Sequence, residues 1–202
     1  VIGCSRTVRD QAQSPPGRTV PLRRECPQTP ERGLHRPRTQ KAVLDSLQSL
    51  DLDIQLSKNT SGIVATLHGA NPGPAVLLRG DMDALPMPEE TGLPFASAEQ
   101  GCMHACGHDA HTAMLASAAH LLCQHRERIS GSGRFMFQPG EEGPGRATPR
   151  PDEGLLDADG AQPAIFAFHV APGLSPGPAV RRRGPTPAAD QPQVSLHIRP
   201  EG

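Results

Sequence analysis

Three short apolar runs in this chain each end on residues that carry chemistry. Ala75 to Arg79 (AVLLR) leads directly into Gly80-Asp81-Met82-Asp83, Arg134 to Gln138 (RFMFQ) into Pro139-Gly140-Glu141-Glu142, and Ala164 to Phe168 (AIFAF) into His169. Runs of this length and composition read as buried strands. In an open α/β sheet the loops at the carboxyl ends of parallel strands share one rim, where ligands bind. The pattern therefore predicts that carboxylates and an imidazole from three separate parts of the chain meet in one place. The segment Met103-His104-Ala105-Cys106-Gly107-His108-Asp109 stands just before an expected helix and can add a thiolate and imidazoles to the same rim.

The remaining periodicities fit a layered α/β structure. Residues 1–38 are rich in Arg, Pro, Gln and Thr with little apolar periodicity, which predicts a loop or poorly structured arm. Ala42, Val43, Leu44, Leu47 and Leu50 fall at helical spacing, and Ser61 to Leu67 reads as a strand separated from Ala75–Arg79 by an Asn71-Pro72-Gly73-Pro74 turn. Asp109 is placed to cap a helix from about Ala110 to Arg126, with Met114, Leu115, Ala118, Leu121 and Leu122 on one face. Beyond Pro139 prolines accumulate and regular structure is expected to be sparse, except at Val194–Ile198, whose alternation suggests a strand opening a new unit.

Composition limits the core and the partners. There is no Trp or Tyr and there are 5 Phe among 202 residues, and aromatic rings supply much of the buried area in ordinary cores, so marginal stability is expected. A net charge of −1 offers no broad attraction to nucleic acid or an anionic membrane, and Arg181-Arg182-Arg183 reads as a solvated turn. No stretch approaches the roughly 20 apolar residues of a membrane span. Residues 1–13 hold no apolar signal core, and five cysteines at irregular spacing make no disulfide framework, so a cytoplasmic setting is expected. A first residue of Val rather than Met suggests a processed or partial chain.

Neutral His nitrogens, carboxylate oxygens and one thiolate form a set sufficient for a divalent cation, the thiolate leaning toward zinc. In the adjacent pair Glu141-Glu142 one carboxylate can bind metal while the other moves a proton, as amide hydrolysis by activated water requires. Two other chemistries stay open. Cys106 with a histidine could act as a cysteine nucleophile and its base, and Cys102, His104, Cys106 and His108 could form a structural zinc module. His111 and His120 read as ordinary helix residues and Cys102 as a bystander.

Four ordered blocks carry a resemblance: LLRGDMDALPMPEETGLPFAS (Leu77 to Ser97), MHACGHDAHTAMLASAAHLL (Met103 to Leu122), FMFQPGEEG (Phe135 to Gly143) and IFAFHVAPGLSPG (Ile165 to Gly177). Together they resemble the aminoacylase, hippurate-hydrolase and indole-acetyl-amino-acid-hydrolase group of metal-dependent amidohydrolases, relatives of the co-catalytic metallopeptidases. The resemblance implies the open three-layer α/β sheet of a metallo-aminopeptidase-like catalytic domain. It is incomplete here: 39–183 would be the partial catalytic domain and 184–202 the start of a lid and dimerisation domain. It implies two divalent ions, Zn or Mn, with Cys106 as a bridging thiolate and His108, His169 and Glu142 as further ligands. Glu141 would be the catalytic base and Asp83 would orient a ligand histidine, while Asp81 and Asp109 would support loops. Small N-acyl amino acids are the implied substrates, and full-length relatives would be homodimers. The chain reads as an N-terminal fragment or degenerate copy of such an enzyme, with an inactive metal-binding remnant as the alternative.

Overall fold

A computed structural model of the chain describes residues 6–13, 17, 19–142, 164–171 and 173. The chain divides into two units, Val1–Val170 and Ala171–Gly202, and the fold below is that of the first. The strand expected over Val194–Ile198 and the lid expected from residue 184 lie outside the described residues.

The elements run α1 (Arg6–Gln13), α2 (Thr19–Gln28), α3 (Pro37–Leu47), β1 (Asp53–Leu56), β2 (Ile63–His68), β3 (Asn71–Asp81), α4 (His108–Cys123), a short 3-10 turn (Arg126–Arg128), β4 (Ser130–Gln138) and β5 (Ala164–Ala167). The strands form one mixed sheet in the order β1-β2-β4-β3-β5. β3 runs parallel to both β4 and β5, while β2 is antiparallel to β1 and β4. The α/β class and the parallel relation of the three apolar runs are thus as the sequence predicts.

Successive strand residues face opposite sides of a sheet, and one side here holds the core. Ile63, Ala65 and Leu67 of β2 and Phe135 and Phe137 of β4 pack with Leu115, Ala116 and Ala119 of α4, Ala42, Val43 and Leu47 of α3, and Leu22 and Cys26 of α2. The other side buries a smaller cluster of Val64, Leu77 and Met136. Among the described residues these helices and the sheet make two of the three layers that the resemblance implies.

Four local readings differ from the structure, each for a physical reason. Residues 6–13 and 19–28 are helical where the sequence predicts an arm. The apolar signal of α2 is just Leu22 and Cys26, one helical turn apart and 5% and 3% exposed, and it is set among charged residues and prolines. Contact with α4, including the Arg23–Asp109 ion pair at 3.5 Å, supplies what local periodicity lacks. Asn71-Pro72-Gly73-Pro74 belongs to β3, because pairing with β4 passes from Asn71 to Ala75 and pairing with β5 begins at Val76. Neither proline therefore has to donate to a ladder. Asp109 lies inside the first turn of α4 and makes no side-chain cap; Gly107 holds the N-cap position. β5, expected to be buried, is an edge strand with Ile165 64% and Phe166 49% exposed, since β3 is its single partner among the described residues.

Cys26 links this core to pH. Burial first, then the nearby Asp109 and Glu25 carboxylates, push its thiol from 9.0 up to about 12. The folded pKa is raised, so the stability gained by keeping the thiol neutral is full below the unfolded value and is lost as pH rises through the folded one. Thermal melts are expected to fall between about pH 9 and pH 12, with part of that slope removed in Cys26→Ala. A slope that the substitution leaves intact assigns the alkaline loss to other groups.

Candidate metal centre

The parallel register aligns the ends of β3 and β4, Asp81 standing opposite Gln138. Asp83 follows two residues beyond β3, Glu141 and Glu142 follow β4 through Pro139-Gly140, and His169 lies two residues past the end of β5. The long excursion between β3 and α4 is pinched by an antiparallel Leu85–Met103 bridge, with hydrogen bonds of 2.8 and 3.0 Å in its two directions. This returns the chain to the rim just before Cys106 and His108. Gly107, at φ +88°, makes the turn between those two residues, a left-handed conformation that favours glycine.

Three sets of described side chains approach closely enough to share a cation, the ligand atoms of each lying within 4.8 Å of one another: Cys106, His108 and His169; His108, Glu141 and Glu142; and Asp81, His108 and His111. His108 belongs to all three and is 1% exposed. Its Nε2 stands 3.9 Å from Glu142 Oε1 and 3.6 Å from Asp81 Oδ1, and its Nδ1 stands 3.2 Å from Asp83 Oδ1. Neither ring nitrogen makes an aligned hydrogen bond. Burial alone lowers the pKa of this imidazole; Asp83, Asp81 and Glu142 outweigh burial and raise it. The pocket thus favours positive charge at the place where an imidazole nitrogen is left without a partner.

Asp83 ties the site together. Its Oδ2 accepts the backbone N–H of Glu142 at 2.8 Å and lies 3.7 Å from Nη2 of the fully buried Arg36. Burial raises its pKa, but contact with His108, the Glu142 N–H, Arg36 and the Glu141 N–H together hold it at about 2. The carboxylate is therefore charged at neutral pH and anchors the glutamate loop to the His108 ring.

The tautomer of His169 leaves its Nε2 as an acceptor. Its Nδ1–H donates to the Val170 carbonyl at 2.6 Å, leaving the Nε2 lone pair 3.2 Å from Cys106 Sγ. The Cys106 thiol is pushed from 9.0 up to about 12, by burial first and then by Glu142, Asp81 and Glu141. A thiol held neutral by surrounding carboxylates is a poor nucleophile at pH 7, which counts against the cysteine-hydrolase chemistry. The same carboxylates that oppose a bare thiolate would attract a divalent cation, whose charge reverses the balance. The donor set, the orphaned His108 nitrogen and this charge arrangement fit a divalent cation.

The structure brings together Cys106, His108, Glu141, Glu142 and His169, with Asp83 behind them. His104 and Cys102 fall outside every such set. Burial first lowers the pKa of His104 to about 4, and Cys102 Sγ donates to the Pro30 carbonyl at 3.5 Å, so the four-residue zinc module is not assembled. Sequence reasoning missed Arg36, which carries no pattern that separates it from its charged neighbours. It also missed His111, whose three-residue spacing from His108 on one helix face was the available signal.

Residues 77–192 match Peptidase family M20/M25/M40. The chain is 38% identical over 170 residues to N-acetyl-L-cysteine deacetylase of Bacillus subtilis (strain 168), covering 84% of this chain and 40% of that protein. It is 39% identical over 166 residues to IAA-amino acid hydrolase ILR1-like 4 of Arabidopsis thaliana, covering 82% and 37%. Among solved structures it superimposes on the Bacillus subtilis YXEP protein, a dinuclear metal-binding peptidase from the M20 family, with a TM-score of 0.72 and 38% identity, covering 78% of this chain and 43% of that one. The chain thus spans about two fifths of the length of the curated relatives it matches.

Proposed function

The chain belongs to peptidase family M20/M25/M40, and from that premise we propose that its site hydrolyses the amide bond of N-acyl amino acids or similar small amides at a centre of two divalent ions, zinc or manganese. Cys106, His108, Glu142 and His169 would hold the metal. The observation that supports this best is the convergence of Cys106, His108 and His169, from a loop, a helix start and a strand end, within 4.8 Å. The deacetylase and amino-acid-hydrolase names of the relatives support the substrate class.

The chemistry a divalent cation supplies in such a site is polarisation of the amide carbonyl and acidification of water. The chain's own residues do the rest. Glu141 takes a proton from the attacking water as the new C–O bond forms and returns it to the amine nitrogen as the C–N bond breaks. Asp83 keeps the glutamate loop and the His108 ring in register. Cys106 contributes a soft ligand, which favours zinc.

No described helix is long and apolar enough to cross a membrane. Cys26, Cys102, Cys106 and Cys123 are all free, which supports a reducing compartment such as the cytoplasm. Homodimerisation of full-length relatives is part of the same proposal.

The test is metal content of the purified chain by mass spectrometry, with hydrolysis of a panel of N-acyl amino acids before and after chelation. The expected result is about two equivalents of zinc or manganese and hydrolysis that chelation abolishes and metal restores. Bound metal without turnover would favour the inactive remnant, and a chain that binds no metal sinks both readings.

A further inference from the structure

Asp81, His108 and His111 are close enough to share a cation and all three are buried, yet the hydrogen bonds of His111 give it another use. Its Nε2 accepts the backbone N–H of Val170 at 2.9 Å, so that nitrogen carries no proton. Its Nδ1 lies 2.5 Å from Asp81 Oδ1, so the ring's one proton sits there and is donated to the carboxylate. Asp81 is itself held by Arg79 at 3.0 Å through its other oxygen. Both ring nitrogens of His111 are spent, leaving no lone pair for a metal.

What His111 holds is the residue next to His169. Val170 is fixed on three sides. Its N–H goes to His111, its carbonyl accepts the His169 Nδ1–H at 2.6 Å, and its side chain lies so close over Gly107 that a Cβ there would overlap Val170 Cγ2. Gly107 and His111 are one helical turn apart at the start of α4 and form a seat for Val170. The carbonyl that sets the His169 tautomer is therefore positioned by this seat, and with it the Nε2 that faces Cys106 at 3.2 Å.

We propose that His111 is a positioning residue which, bridging Asp81 to the Val170 backbone, seats Val170 on the start of α4 and so aims His169 Nε2 at the metal centre. The proposal rests on the metal-centre reading above. It gives a helix histidine a role in ligand geometry without direct ligation.

The test uses the purified chain with cobalt(II) as the probe, and ring nitrogen chemical shifts of His111 in the metal-free chain. The shifts are expected to show a protonated Nδ1 and a bare Nε2. His111→Asn keeps a donor toward Asp81 but withdraws the acceptor from Val170, and should weaken cobalt binding by about 10- to 100-fold, the usual loss when a group that orients a ligand is removed. His111→Gln, whose amide oxygen reaches toward the position of Nε2, should retain more affinity than His111→Asn. Adding His111→Asn to His169→Ala should weaken binding no further than His169→Ala alone. The thiolate-to-cobalt absorption from Cys106 should persist in every variant, showing that the loss is local.

Equal losses for Asn and Gln, additive losses with His169→Ala, or a proton on Nε2 overturns the proposal. A proton on Nε2 overturns it even where a variant fails to fold. If His169→Ala leaves cobalt binding unchanged, the metal-centre reading falls and the ligand-positioning role falls with it. A normal response to His169→Ala without coupling to His111 overturns the positioning role alone.

Discussion

Glu141→Gln is expected to lower hydrolysis of an N-acyl amino acid by roughly 10²- to 10⁴-fold while leaving bound metal unchanged, the range that a positioned general base contributes. The substitution keeps the length and hydrogen-bonding reach of the side chain and removes its capacity to hold a proton. On the proposed reading Glu141 is the base of the pair and Glu142 the ligand. Glu142 has an oxygen 3.9 Å from the unpartnered His108 Nε2 and its backbone N–H is held by Asp83 at 2.8 Å, which supports the ligand role for it. Gly140, at φ +75° and packed on Leu34, makes the turn after which both carboxylates come within 4.8 Å of a His108 ring nitrogen. Glu142→Gln should in contrast lower metal content as well as rate. Mass spectrometry on both variants beside their rates separates the roles, and loss of metal in Glu141→Gln with retention in Glu142→Gln would exchange them.

Phe137→Ala is expected to remove about 3–5 kcal/mol of stability, the usual range for a large aromatic cut to Ala in a packed core, measured as a shift in the urea midpoint. Phe137 is fully buried on the helix-facing side of β4, opposite Ile63 on one neighbour and Gly80 on the other. With 5 Phe and no Trp or Tyr in the chain, no other large ring stands ready to fill the space except Phe135 in the same strand. A loss of that size approaches the whole margin of an ordinary domain, about 5–15 kcal/mol. The substitution also sits at the root of the Pro139-Gly140-Glu141-Glu142 loop, so metal content should fall with folding. A midpoint shift worth less than about 1 kcal/mol would mean that the core collapses onto the cavity and that the two rings do not carry it.

What could be read from the amino-acid order was whatever repeats along it. The apolar runs ending at Arg79, Gln138 and Phe168 mark strands because a short continuous apolar stretch is itself a local signal, and their polar followers mark the rim because strand ends are local. The α4 helix was legible from Leu115, Ala118 and Leu122 for the same reason. Its cap was not, since choosing Gly107 over Asp109 depends on how Cys106 and Val170 approach. Helix α2 was hidden because its two core residues gain their meaning from α4, some 90 positions away in the chain.

Among the histidines the division is sharpest. His108 and His169 are visible by position, but His104 and His111 exchange their expected standing in the folded chain. The first is half-buried without a hydrogen-bond partner for either ring nitrogen, and the second bridges Asp81 and Val170. Residue type and spacing determined that imidazoles, a thiol and carboxylates gather on one rim. Which nitrogen faces which partner was decided only in three dimensions, because a hydrogen bond acts over about 3 Å and chain spacing says nothing about which distant groups come within that distance.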